Sequence, residues 1–191
     1  MDSKGNMYYT VDKSTWNSLS ASLKDFALGD FSGSGLFGIA GITNSGDIYL
    51  MPSVGSGWSK LPGLLNTIVT GDFDGNGVAD LAGLDVYGNI WYTTDFKIWK
   101  GTVGNLSQLI SIDLNGDNKS ELAGINSKGE IWTTKDLITW ERVPGMMSLL
   151  KSADLDGNGT GDLIGLDAAG NMWQSTDLKT WMNIPGSLAN F

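Results

Sequence analysis

The stretch LLKSADLDGNGTGDLIGLDAAGNMWQSTDLKTWMNI, residues 149–184, contains an Asp-rich loop, short apolar runs, an Ala-Ala-Gly-Asn turn and a tryptophan hairpin. Its parts recur upstream in one register. Asp154 is preceded by Asp113, Asp72 and Asp30 at steps of 41, 41 and 42 residues. Trp181 is preceded by Trp140, Trp99, Trp58 and Trp16, and Gly170 by Gly129, Gly88, Gly46 and Gly5, at the same period. Within the quoted unit, Leu149–Leu155 reads as a first strand and Asp154–Asp162 as an acidic loop. Leu163–Asp167, Met172–Ser175 and Thr180–Ile184 read as three further strands bounded by turn residues. No run has the length or the 3.6-residue period of a helix. Four short strands repeated about every 40 residues predict an all-β chain, a β-propeller of four-stranded antiparallel blades.

The count predicts one domain over residues 1–191: a half blade at 2–26, blades at 27–65, 66–106, 107–147 and 148–187, and the start of a closing strand at 188–191. Closure of that last strand against the N-terminal half blade would make five blades, the fifth partial. A second reading is that the missing strands come from another copy, a homo-oligomer formed through the incomplete blade. An open stack would leave apolar faces bare.

Composition narrows the chemistry. The chain has 27 Gly and 8 Trp, as many tight turns between aromatic strands require. It has no Cys and no His, which removes Ser-His and Cys-His nucleophiles, zinc sites of nitrogen and sulfur, and disulfides. A net charge of -9 with no Lys/Arg stripe disfavours nucleic acid. No apolar run approaches the ~20 residues of a membrane span, so no membrane insertion is expected. The opening Met1-Asp2-Ser3-Lys4 carries no apolar signal core.

The loop Asp72-Phe73-Asp74-Gly75-Asn76-Gly77-Val78-Ala79-Asp80 places side-chain oxygens at positions 1, 3, 5 and 9. Alternate residues turning oxygens inward around a glycine bend is how a chain surrounds a hard cation. Val78 would add its carbonyl, and Asp80 the closing carboxylate. The later units offer Asp113, Asn115, Asp117, Lys119 (carbonyl) and Glu121, then Asp154, Asp156, Asn158, Thr160 (carbonyl) and Asp162. The loop at Asp30 has Gly38 at position 9 and is expected to bind no metal, or to bind it weakly. Three loops with three carboxylates each predict about three Ca2+ ions, since packed like charges repel without a cation.

Asp-x-Asp-Gly-Asn-Gly-x-x-Asp-Leu at 72–81, followed by a short strand, resembles the FG-GAP or VCBS-type repeat of integrin α-chain propellers, bacterial secreted proteins and fungal lectins of the Psathyrella type. The resemblance covers essentially the whole chain. It implies a calcium-binding propeller placed outside the cell or at its surface, used for adhesion, lectin activity or scaffolding. The turn Ser175-Thr176-Asp177-Leu178-Lys179-Thr180-Trp181 is similar to the Asp-box hairpins of sialidase-type propellers, where Asp caps the turn and Trp packs beneath it.

Trp16, Trp58, Trp99, Trp140 and Trp181 are therefore expected in the core. The second aromatic series, Tyr8, Tyr49, Trp91, Trp132 and Trp173, allows either core packing or stacking against sugar rings, with Asp47, Asn89, Glu130 and Asn171 near enough to bind hydroxyls. Repeated sites would add avidity. The expected partner is a carbohydrate or cell-surface glycoconjugate; the alternative is a protein-adhesion scaffold. A glycosidase would need two carboxylates with separate roles. Only three Glu exist, at 121, 130 and 141, and the Asp residues follow the repeat, so no enzyme activity is expected.

Overall fold

A computed structural model describes residues 2, 5–10 and 12–187. The strand start expected at 188–191 lies outside the described residues. Strands β1 (Asn6–Tyr9) and β2 (Asn17–Ser22) form a two-stranded ribbon. Four antiparallel meanders of four strands follow. The first comprises β3 (Asp25–Gly29), β4 (Gly38–Ile42), β5 (Asp47–Met51) and β6 (Ser59–Leu64). The second comprises β7 (Thr67–Gly71), β8 (Asp80–Leu84), β9 (Asn89–Thr93) and β10 (Lys100–Asn105). The third comprises β11 (Gln108–Ile112), β12 (Glu121–Ile125), β13 (Glu130–Thr134) and β14 (Trp140–Met146). The fourth comprises β15 (Leu149–Ala153), β16 (Asp162–Leu166), β17 (Asn171–Ser175) and β18 (Met182–Ser187). No helix occurs among the described residues.

Local hydrogen bonds move two boundaries of the quoted unit. Its first strand stops at Ala153 because Asp154 turns its carboxylate onto the N–H groups of Gly157, Asn158 and Gly159. Its fourth strand begins at Met182 because the N–H of Thr180 is held by Asp177.

The innermost strands β3, β7, β11 and β15 lie side by side in chain order. Side chains tie them together: Thr70 Oγ1 donates to Leu28 O at 2.8 Å, and Ser152 Oγ to Ser111 O at 2.9 Å. Gln108 both donates to and accepts from the backbone of Leu150. The second strand of every sheet is the most buried; all five residues of β4, β8 and β12 are buried.

The apolar core is divided among the junctions between neighbouring sheets. Ile42, Ile48, Leu61, Leu65, Ile68 and Leu81 form the cluster between the first and second sheets. Leu84, Ile90, Leu106, Leu109 and Leu122 serve the next junction, and Ile125, Ile131, Val143, Leu150 and Leu163 the one after. A smaller cluster of Met7, Leu19, Leu23, Ile39 and Met51 joins the ribbon to the first sheet.

The fourth strands carry the Trp contacts. Pro62, Pro144 and Pro185 stand on these outer edges, where a missing N–H costs little. The following Gly63, Gly145 and Gly186 take φ of 90°, 107° and 135°, and the register slips there. The indole of the next sheet lies on this step and donates to it: Trp99 Nε1 to Pro62 O at 2.8 Å, and Trp181 Nε1 to Pro144 O at 2.6 Å. Trp58 donates to Leu19 O and Trp140 to Thr102 Oγ1.

These tryptophans are thus half-buried clamps across sheet junctions, not the core residues expected. Trp16 reaches no other sheet among the described residues and is 64% exposed. Replacing Trp99 or Trp181 by Ala is expected to cost about 2–3 kcal/mol by urea denaturation, from lost packing and an unpaired carbonyl. Trp16→Ala is expected to leave chain stability within about 0.5 kcal/mol.

Candidate functional site

The Asp-rich loops connect the first and second strands of each sheet. In all four, the position-1 carboxylate organises the backbone. Asp72 accepts the N–H groups of Gly75, Asn76 and Gly77 at 2.7–3.0 Å, and Asp154 those of Gly157, Asn158 and Gly159; Asp30 accepts from Ser32, Ser34 and Gly35, and Asp113 from Asn115, Gly116 and Asn118. The position-9 acid begins the second strand and is buried: Asp80 is 1%, Glu121 2% and Asp162 1% exposed. Each accepts the N–H of position 2: Phe73 at 2.9 Å, Leu114 at 2.7 Å and Leu155 at 2.7 Å.

Two loops bring three carboxylates together. Asp72, Asp74 and Asp80, and likewise Asp154, Asp156 and Asp162, place one oxygen each within 4.8 Å of one another. Burial pushes Asp80 up to about 7, and the charges of Asp74 and Asp72 add to the effect. Asp162 leaves Oδ1 buried without a hydrogen-bond partner. A buried carboxylate oxygen beside two further carboxylates is costly unless a cation satisfies it. All donors in both clusters are oxygens, the set that suits a hard divalent ion.

The remaining two loops differ for visible reasons. Asp113, Asp117 and Glu121 do not form such a cluster among the described residues. The longer Glu121 side chain accepts from Leu114 N with one oxygen and from Asn115 Nδ2 with the other, and burial raises its pKa. Asn115 here presents a donor where the other loops have Asp74 and Asp156. In the first sheet, a Cβ on Gly38 would meet Met51 O and Pro52 O at 2.3 Å, so backbone fills the space of a closing acid.

The loops are chained. The position-8 N–H of each reaches the position-1 carbonyl of the loop before it: Ala79 to Asp30, Ser120 to Asp72 and Gly161 to Asp113, at 2.5–2.8 Å. The position-7 residues Val78, Lys119 and Thr160 lie over Gly33, Gly75 and Gly116 of that preceding loop.

The second aromatic series lies at the junctions. Tyr49, Trp91, Trp132 and Trp173 are half-buried, and Tyr8 is 42% exposed. Three successive junctions hold a cleft with the same plan. The first, about 290 Å³, is lined by Tyr49, Trp58 and Thr43 against Ala21 and Leu23. The second, about 210 Å³, has Trp91, Trp99 and Asp85 against Gly63 and Leu65. The third, about 550 Å³, has Trp132, Trp140 and Asn126 against Gly104 and Leu106. Each combines two aromatic rings from one sheet, the polar residue of its second turn and the outer strand of its neighbour. Trp173, Trp181 and Asp167 occupy the same positions in the fourth sheet.

The expected hydroxyl binders are engaged elsewhere. Asp47 pairs with Lys60 at 2.7 Å, Glu130 faces Arg142 at 3.5 Å, and Asn89 and Asn171 donate to Asp85 and Asp167. The turn residues Thr43, Asp85 and Asn126 line the clefts, each also bonded within its own turn. Their spacing of 42 and 41 residues was the available signal, hidden because their chemistry varies from unit to unit.

Asp136 and Asp177 cap the tryptophan hairpins by accepting paired backbone N–H groups, which hold them at about 2. Hydrogen bonds from Asn171 and Trp173 hold Asp167 at about 2 as well. A lowered carboxylate pKa contributes stability that is complete above the ordinary value of 3.8 and vanishes as pH falls through about 2. Urea midpoints are expected to drop between about pH 4 and pH 2, and less steeply in an Asp136→Asn, Asp177→Asn double variant.

No protein-family model matches the chain, and no curated protein is similar to it in sequence. Among solved structures, YCF48 bound to D1 peptide superposes with a TM-score of 0.54 at 16% identity over 88% of this chain. The fold is a β-propeller. Its four meanders are blades, with β1–β2 a two-stranded partial fifth. The chain spans 57% of the length of the YCF48 chain it matches.

Proposed function

We propose that this propeller is a calcium-stabilised, multivalent carbohydrate-binding module. The observation that carries the proposal is the repetition of one cleft plan at three successive blade junctions. Two aromatic rings and one polar turn residue suit a sugar, whose C–H face stacks on a ring while its hydroxyls meet the polar group. Shallow repeated clefts give weak single contacts that add by avidity. The oxygen-only loops at Asp72 and Asp154 are the calcium sites, with Asn76 and Asn158 and the carbonyls of Val78 and Thr160 completing the donor set. Calcium here holds the fold and takes no part in chemistry. The module is non-catalytic and works outside the cell, where calcium is plentiful.

A second reading, a scaffold that binds peptide or protein, is favoured by the exposed pair Val86 and Tyr87, at 72% and 78%, on a turn beside the clefts. YCF48, the structure of similar fold, is itself bound to a peptide. A glycan array probed with the intact chain, in millimolar calcium and again in chelator, tests the first reading. Binding to one sugar class, lost in Trp91→Ala and Trp132→Ala with the fold intact, is the expected result. No binding by a chain that calcium visibly stabilises would overturn the carbohydrate reading and leave the scaffold.

A further inference from the structure

The blade junctions share an outer contact whose two halves are both left open at the ends of the series. A Cβ on Gly63 would stand 3.5 Å from the Trp99 indole, and one on Gly145 would stand 3.0 Å from that of Trp181. On Gly186, in the same place on β18, it would find no atom of the described residues within 4 Å. At the other end, Trp16 is 64% and Tyr8 42% exposed, while their counterparts in later blades are half-buried. The acidic-loop level repeats the pattern. Gly33, Gly75 and Gly116 are covered by the following loop, and Gly157 is open.

Both open halves are already shaped. Asp12 accepts the N–H groups of Ser14 and Thr15, the same cap that Asp177 makes with Lys179 and Thr180. Asp2 accepts from Asn6 through backbone and side chain, as Asp85 does from Asn89. Ile184-Pro185-Gly186 matches Leu61-Pro62-Gly63 and Val143-Pro144-Gly145 in sequence, and all three glycines share positive φ.

We infer that a second copy of this chain docks its β1–β2 ribbon on β18, with Trp16 of one copy lying on Pro185-Gly186 of the other. The Trp16 Nε1–H then donates to the Pro185 carbonyl, as Trp99 does to Pro62 and Trp181 to Pro144. Continuity with the internal junctions selects this occupant: the chain presents both the ring and its seat, and among the described residues of one copy they do not meet. The contact is head-to-tail, so each copy uses different surfaces, and a closed assembly forms only where the last seat meets the first ring. Docking also builds one more aromatic cleft, from Tyr8, Trp16 and the neighbour's outer strand. The inference rests on the blade junctions and stands apart from the carbohydrate reading.

Sedimentation velocity of the full chain in calcium, from micromolar to submillimolar, tests it. Mass rising with concentration in whole-chain steps is expected. Trp16→Ala should weaken that association by about tenfold or more with the unfolding midpoint unchanged. Pro185→Glu, which alters the seat, should do the same. Mixing the two variants leaves one intact junction and should restore a heterodimer that neither forms alone. A single-chain mass at every concentration would overturn the inference, including the case where Trp16 is protected within one copy. Association untouched by Trp16→Ala, or a mixture that stays monomeric, would overturn it too.

Discussion

Calcium added at about a hundredfold excess over its dissociation constant is expected to raise the unfolding midpoint of the metal-stripped chain by about 10–20 °C. A ligand at that excess that binds only the folded state contributes about 2.7 kcal/mol per site, and two loops gather three carboxylates each. For a chain of this size, each kcal/mol is worth about 2–4 °C. The shift should divide between the loops. Asp80→Asn and Asp162→Asn remove the buried closing carboxylates and should each take away about half of it. Glu121→Gln should take away little, because both Glu121 oxygens already have partners inside the protein. Differential scanning calorimetry with and without chelator, alongside titration calorimetry for the number of ions bound, reads all three. A midpoint indifferent to calcium, or a full shift surviving in the Asp80→Asn, Asp162→Asn double variant, would sink the assignment.

Removing Trp91 and Trp132 together is expected to weaken binding to a dense glycan surface by about a hundredfold or more. Two of three clefts would lose a stacking wall, and with one cleft left the linked contacts that supply avidity are gone. Binding of the free sugar in solution should fall far less, since the Tyr49 cleft still answers at its own affinity. Interferometry on glycan-coated tips, compared with titration of the monomeric sugar, separates the two. Equal losses in both formats would mean that the clefts act singly, and no loss in either would mean that the rings are packing residues. Both indoles pack against junction clusters, so a urea curve for the variant is needed as a folding control.

The blades were legible because the repeat writes them several times over. Turn residues bound each strand, and the 41-residue step fixes strand number without any knowledge of pairing. The acidic loops were legible at positions 1, 3, 5 and 9 because backbone geometry allows few other patterns. Their differences were not. Whether Glu121 can stand in for Asp80 depends on where a longer side chain places its oxygens, and here it spends one on Asn115. The absence of an acid at Gly38 was legible as a letter, while its cause, the carbonyls of Met51 and Pro52, belongs to the far end of β5.

The tryptophans were misplaced for a related reason. Period and hydrophobicity say that Trp58, Trp99, Trp140 and Trp181 are equivalent, and they are. Neither says that the partner is the outer strand of the preceding blade, nearly one full repeat away. Trp16 shows the consequence, since an identical letter in identical register is exposed where no outer strand among the described residues covers it.

The division of the core bears on how such a chain grows. Among the described residues each apolar cluster is shared by two adjacent units and by no third, so a further unit has only to match the faces of its neighbours. A tandem duplication of one 41-residue segment brings its own ring, its own seat and its own half of each neighbouring cluster. It also lets single units differ: Gly38 stands where the later loops have an acid, and Ser53 and Ser56 hold a turn where the other units have Asp. The packing thus asks one thing of each unit, that its two faces fit those of a copy of itself.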